Sequence, residues 1–364
     1  MSTRKETEIN LHMTEDELAQ NSVQLIKYAR GLAVRQVNII QLLTYYSIGK
    51  WIVDVEQKGK ERAKYGKQII KDLSSKLNDE FQRGFSESNL ENARKFYLCY
   101  KDRIPETLFT EFAIKKSQTV FGKLEKERPF QLPWSHYLQL MRIKNDDERS
   151  FYEIEAKKEN WSIRTLQRQY NSSYYERLAL SRDKNAIAKM AKSGNMIETP
   201  QDIIKQPTVL EFLGLKENTS YSESDLETAV IDKLQNFLLE MGKGYLFVAR
   251  QKRISFNEDN YYCDLVLYNR ILKCFVVIDF KIDKLTHQDL GQMSMYVNYY
   301  DRYEKRDDEN PTIGILICKE KNDPLVEITL PKDTNIYATE YNLYVPDKKL
   351  LQKKLKEWME EEDI

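Results

Sequence analysis

Residues 261–282, YYCDLVLYNRILKCFVVIDFKI, hold the pattern that decides how this chain folds. In an extended strand, successive side chains point to opposite faces. Over 274–281 that alternation puts Val277, Asp279 and Lys281 on one face and Cys274, Val276, Ile278 and Phe280 on the other. On the preceding run, Tyr262, Asp264 and Val266 share a face. With residues 270–273 as a hairpin loop, Asn269 pairs with Cys274 and Asp264 falls opposite Asp279. Two carboxylates and an ammonium then converge at the end of an otherwise apolar strand.

Like charges side by side on a sheet are costly unless a cation sits between them. A hard divalent ion, Mg²⁺ or Mn²⁺, suits two carboxylates, a backbone oxygen and water. Such an ion polarises a phosphoryl oxygen, while Lys281 orients or deprotonates water and offsets developing charge. Glu227, on the helix before the first strand, adds a third carboxylate for a water or a second ion. Gln292, near the start of the next helix, is placed to steady the nucleophile or a phosphate. The competing structural reading is that a short D…DxK pattern arises by chance in a charged chain, with each acid a turn or edge residue.

Around this hairpin the period of the apolar residues changes from helix to strand and back. Leu226, Val230, Leu234, Leu238 and Met241 make a helix face that Gly242 and Gly244 end. The run YLFVARQKRISF precedes the hairpin, and the helix QDLGQMSMYVNYYDRYEK and the apolar run TIGILICK follow it. Helix, three strands, helix and strand make a mixed α/β core.

The first half is helical. From Asp16 to about Gln57, Leu18, Val23, Ile26, Ala29 and Leu32, then Val37, Ile40, Leu43 and Tyr46, recur at helical steps, with Gly31 either dividing two helices or weakening one. After the basic stretch KGKERAKYGK, residues 67–81 form an amphipathic helix with Ile69, Ile70, Leu73, Leu77 and Phe81 facing inward. Gln82–Phe85 break it, and Ser86 caps the next helix. Helix, glycine-containing turn and capped helix is a helix-turn-helix arrangement. Its second helix would offer Ser88, Asn89 and Asn92 to base edges and Arg94 and Lys95 to phosphates. The plainer reading is a packed helical hairpin. Trp134 and Trp161 precede Ser135 and Ser162, each placed to cap a helix, and Arg164, Arg168 and Arg177 make a basic stripe or a salt-bridged face. Residues 183–224, with two prolines and many small polar residues, read as a connector.

Composition bounds the rest. A chain of 364 residues implies two domains or three, and 41% hydrophobic content is enough for their cores. The charged fraction of 31% and mean hydropathy of -0.66 put much of the charge on solvated faces. Net charge is +0, so any attraction to a polyanion must come from a local basic face. Cys99, Cys263, Cys274 and Cys318 form no CxxC pair, and three of them lie in strand-like runs, as small buried hydrophobes do. His12, His136 and His287 have no metal-ligand spacing. No signal-like or 18-residue apolar run is present, so the expectation is a cytoplasmic protein that does not enter a membrane.

The order helix-Glu, strand-Asp, strand-(D/E)xK, helix-Gln resembles the PD-(D/E)XK nucleases. FLLEMGKGYLFVARQKRI, YYCDLVLYNRILKCFVVIDFK and GQMSMYVNYYD are similar to the YhcG-type members, as are YGKQIIKDLSSKLNDEF, GFSESNLENARKFY, LPWSHYLQL and WSIRTLQRQYNSSYYERL. The resemblance spans roughly residues 20–345. It implies an α+β two-domain chain: an all-helical, DNA-binding domain over 16–185, a connector over 186–220 and a restriction-endonuclease-like domain over 221–350. It also implies Mg²⁺-dependent endonuclease activity on DNA, with Asp264, Asp279 and Glu227 at the metal, Lys281 as the catalytic lysine and Gln292 as the helix glutamine. Asp279 and Phe280 stand where many members carry glutamate and leucine, and the shorter acid bears on metal choice and rate. Cutting both strands with one site per chain calls for a dimer or higher assembly, and the resemblance implies restriction-modification or defence proteins as partners. Two other readings stay open: a DNA-binding or assembly protein with a weakly active core, and a nuclease acting on RNA or branched DNA.

Overall fold

A computed structural model describes residues 15–58, 62–114, 129–215, 221–256, 259–331 and 333–360. His12, the middle of the KGKERAKYGK stretch and the side chains of Leu18, Ala29 and Leu32 lie outside the described residues. The chain divides into two compact units, Met1–Lys144 and Asn145–Ile364. The helices of 146–193 therefore belong to the unit that contains the sheet, whereas the sequence reading groups them with the N-terminal helices.

In the first unit α1 (Glu15–Lys58) runs without a break through Gly31. It crosses α3 (Glu87–Tyr100) where Gly49 meets the backbone of Ala93, with no room for a side chain at residue 49. The core beside this crossing is aromatic: Tyr46, Phe96, Tyr100, Phe130 and Tyr137 stack mostly edge to face. A smaller cluster joins Ile52, Ile70 and Leu90, bringing α2 (Arg62–Phe81) against α1 and α3. Phe81 was expected inward, but it is 60% exposed. The helix ends there, and its ring turns onto Phe85 in the following turn. After α4 (Glu106–Phe109), α5 (Trp134–Leu140) starts at Trp134 with Pro133 before it, so Ser135 lies inside the helix and caps nothing.

The second unit begins with α6 (Asp146–Lys158), α7 (Ile163–Asn171), α8 (Tyr174–Ala179) and α9 (Lys184–Ser193). Ser162 caps α7 as expected, accepting from the Thr165 N–H. A short strand β1 (Thr208–Val209) leads to α10 (Glu223–Asp232) and α11 (Leu234–Met241). The expected single helix over 226–241 is broken at Lys233. Then follow β2 (Tyr245–Phe256), β3 (Asp259–Asn269), β4 (Cys274–Lys284), α12 (His287–Tyr299), β5 (Ile313–Glu320), α13 (Asp323–Thr329), β6 (Ile336–Asn342) and α14 (Lys348–Glu360).

The six-stranded sheet has the order β1-β6-β5-β4-β3-β2. β2, β3 and β4 are antiparallel neighbours, and β4, β5, β6 and β1 are parallel, so the sheet is mixed. Alternation sends Cys274, Val276, Ile278 and Phe280 to one core with Leu226, Val230 and Phe237. Val277 goes to the other, with Leu290, Met293 and Tyr296 of α12. At Gly314 on β5 the Met293 and Val297 side chains occupy the space a Cβ would need, which lets α12 lie directly on the sheet.

One buried ion pair ties the preceding helices to this core. Arg177 on α8 and Glu240 on α11 are both fully buried; the guanidinium donates to both Glu240 oxygens and to the carbonyls of Ser172 and Pro207. Glu240 also accepts from the Val209 N–H. Burial alone would raise the Glu240 pKa, but Arg177, with Lys205, pulls it down to about 2. Lys205 has no such partner. Its Nζ is buried with no hydrogen bond, 4.9 Å from the centre of the Tyr174 ring. Burial, only partly opposed by Glu240, lowers its pKa to about 7.

Two outcomes follow from these charges. Glu240→Gln leaves Arg177 buried beside a neutral group and should cost about 3–5 kcal/mol, read from urea unfolding; a loss no larger than a surface mutation gives would show the pair to be dispensable. Lys205 binds its proton more weakly in the folded state, so its contribution is complete above the unfolded pKa near 10.5 and is lost as pH falls towards 7. Lys205→Met should therefore stabilise the chain at pH 7 and give little or no gain near pH 10.5; an equal gain at both would contradict the assignment.

Candidate active site

The hairpin has the register that alternation requires. Asn269 pairs with Cys274, and the ladder runs to Leu265↔Ile278 and stops. One residue further, Asp264 stands beside Asp279, and its Oδ2 accepts from the Phe280 N–H at 2.8 Å. Asp279 is 3% exposed. Burial, and after it the Asp279 charge, pushes the Asp264 carboxyl up to about 8.

Lys281 donates to Asp279 Oδ2 at 2.9 Å and lies 3.4 Å from Glu223 Oε2 and 4.0 Å from Asp289 Oδ1. Burial works against its charge, but Asp279 and the other two acids outweigh it and raise the pKa above that of a free lysine. Glu223 sits one turn before Glu227 on α10, so both reach the same end of the sheet. Glu227 is buried, and its Oε2 accepts from Gln251 Nε2 at 2.6 Å. The same nitrogen lies 3.2 Å from Asp264 Oδ1.

Gln292 lies four residues before Tyr296 on α12. Its amide donates to Tyr296 Oη, and Tyr296 in turn donates to the Tyr262 carbonyl at 2.7 Å. Tyr296 is fully buried, and burial raises its phenol pKa; four residues from Gln292 on α12, it could have been found by helical spacing. Glu223 carried the same kind of signal, four residues before Glu227. Gln251 carried none, because strand alternation says nothing of a residue whose backbone leaves the extended region.

A divalent cation fits the donors present. Asp264 and Asp279 are crowded like charges, and Glu227 Oε1 is buried without a hydrogen bond, with Arg250 Nε 3.8 Å away. Among the described residues no three acids, histidines or cysteines form a cage. Two carboxylates with water completing the shell is the ordinary Mg²⁺ arrangement.

The helix-turn-helix residues lie on and beside α3. Ser86 accepts from the Asn89 N–H, and the Asn89 side chain donates back to the Gly84 carbonyl, closing the turn. Ser88 and Lys95 are exposed and Asn92 is half-buried, while Arg94 pairs with Glu56 at 2.7 Å. In the second unit Arg164 is exposed. The basic stripe is corrected there: Arg168 is held by Glu211 at 3.2 Å and Glu240 at 3.6 Å, and Arg177 is inside the core. Their side chains point inward to an acid that helical spacing could not reveal. Cys263, Cys274 and Cys318 are free and buried in β3, β4 and β5. Among the described residues, no helix is long and apolar enough to cross a membrane.

A mixed sheet whose adjoining strands carry an aspartate and a DxK triplet is the arrangement expected of a PDDEXK nuclease domain. Residues 201–356 match the YhcG PDDEXK nuclease domain, and residues 21–177 match the DUF1016 N-terminal domain. A relative named "Putative nuclease YhcG", from Escherichia coli (strain K12), is 40% identical over 349 residues, covering 92% of this chain and 91% of its own. The chain belongs to the YhcG family of PDDEXK nucleases. Two solved structures align less fully. They are a repair endonuclease from Pyrococcus abyssi (16% identical, TM-score 0.24) and an EndoMS–dsDNA complex (17% identical, TM-score 0.24). Each covers 36% of this chain, which spans about half the length of either: 50% and 49%.

Asp264→Asn keeps an acceptor for the Phe280 amide and removes one of the two crowded charges. In EDTA at pH 9 it should be more stable than wild type by about 1 kcal/mol, with the gain shrinking as pH falls below 8 and lost only near pH 3.8, the unfolded value. Urea midpoints at the two pH values measure this, and a loss at pH 9 would mean the two carboxylates do not repel.

Proposed function

We propose that the chain is a Mg²⁺-dependent DNA endonuclease that hydrolyses phosphodiester bonds at the Asp264–Asp279 pair. The observation that carries this reading is the pairing of two carboxylates from neighbouring strands beside a lysine held by Asp279. Asp264 and Asp279 would hold the ion, with Mn²⁺ an acceptable substitute, and Glu227 would reach it through its neighbours rather than as a third close ligand. When bound, the ion supplies Lewis acidity to the phosphate and lowers the pKa of its water. Lys281, its proton held by three acids, acts as an ammonium that offsets charge on the phosphate rather than as a base. Gln292 acts through Tyr296, fixing β3 at Tyr262 two residues before Asp264.

For the grip on DNA we assign Ser88, Asn89, Asn92, Arg94 and Lys95 on α3, with Arg164 as a further phosphate contact. Asn89 and Arg94 would have to exchange the contacts they now make for contacts with DNA. Arg168 is not included, since its charge is spent on Glu211 and Glu240. One hydrolytic site per chain makes a pair of copies the simplest way to cut both strands.

Purified protein should nick plasmid DNA with Mg²⁺ or Mn²⁺ and not in EDTA. Asp279→Ala and Lys281→Ala should each lower the rate about 10³-fold while leaving DNA binding in EDTA intact. Equal nicking by all three proteins, or nicking in EDTA, would refute the mechanism.

A further inference from the structure

Gln251 is the one residue of β2 whose backbone turns left-handed, with φ +44, in a position occupied by a side chain rather than by glycine. Its neighbours stay paired, Arg250 with Leu265 and Lys252 with Cys263, so Gln251 falls directly opposite Asp264. A non-glycine residue held in that region is strained, and such strain persists only where the surroundings impose it. Here it delivers one amide nitrogen to two acids: Glu227 Oε2 at 2.6 Å and Asp264 Oδ1 at 3.2 Å. The remaining Asp264 oxygen is held by the Phe280 N–H, while Glu227 Oε1 stays buried without a hydrogen bond.

The residue type suits this placement. A side-chain amide has two N–H donors and no charge. It can fix the spacing of two carboxylates without neutralising them, so the demand for a cation survives. A lysine there would cancel that demand, and a glutamate would add to the repulsion.

We infer that Gln251 is a positioning residue that couples Glu227 to Asp264 and so sets the affinity of the site for a divalent cation. The inference rests on the nuclease reading of the site. Groups that orient metal ligands in this way typically change affinity by about 10–100-fold when removed.

The test is titration calorimetry of the full chain with Mn²⁺, without nucleic acid, on wild type, Gln251→Gly, Glu227→Gln, the double variant and Asp279→Asn. Glycine removes the amide and also relieves the left-handed backbone, so the variant should unfold in EDTA at a temperature no lower than wild type. Its Mn²⁺ affinity should nevertheless fall about 10-fold. In the double variant the two losses should not add, because each breaks the same link. Wild-type affinity in Gln251→Gly, or losses that simply add, would overturn the assignment of Gln251 while Asp279→Asn still abolishes binding. Should Asp279→Asn bind Mn²⁺ as wild type does, the metal-site reading itself falls, and the role of Gln251 with it.

Discussion

Two carboxylates have to stand side by side where the inner strands β3 and β4 part, and much of the second unit is arranged around that constraint. A pair of like charges about 4 Å apart repels by roughly 4 kcal/mol at the effective dielectric of a protein surface. The fold tolerates it by degrees. The Phe280 amide takes one Asp264 oxygen, Gln251 takes the other, and Lys281 lies against Asp279. None of these contacts offsets the burial of Asp264 and, after it, the Asp279 charge, so its carboxyl remains raised to about 8. On the proposed reading, that remaining crowding is what a bound cation would relieve.

The same unit handles another buried charge in the opposite way. Arg177 and Glu240 are closed off completely, each satisfied by the other and by backbone groups. That closure spans α8, α11 and the segment carrying β1, so it fixes the helices of 146–207 to the sheet. Lys205 beside it is the cost of this arrangement, an ammonium driven towards neutrality by its burial, which Glu240 only partly opposes. The contrast separates a site built for stability from one built for chemistry: paired acid and base in the first, unresolved like charge in the second.

The N-terminal unit rests on different physics. Its core is aromatic, and its longest helix is held by a glycine-backbone crossing that brings α1 and α3 together. That crossing leaves the capped start of α3 at the surface, with Ser88 and Lys95 exposed. Asn89 closes the turn from one side, and Ser74 and Asn78 of α2 hold it from the other by donating to the Phe85 carbonyl.

The sequence by itself determined the hairpin, its register and the pair of carboxylates. Side-chain direction in a strand has a period of two, and a four-residue loop between Asn269 and Cys274 leaves one alignment that buries the apolar face of 274–280. It also determined the mixed α/β class and the caps at Ser86 and Ser162, which depend on neighbours in the chain. The tertiary structure decided what depends on distant partners. Arg168 and Arg177 look like a solvent stripe until Glu240, more than sixty residues away, draws them in. Strands β1 and β6 escaped notice because one has two residues and the other packs only once β5 is in place. Gln251 is the sharpest case. Its left-handed backbone is a cost that no local pattern announces, and it makes sense only when Glu227 and Asp264 are already in position to receive the amide.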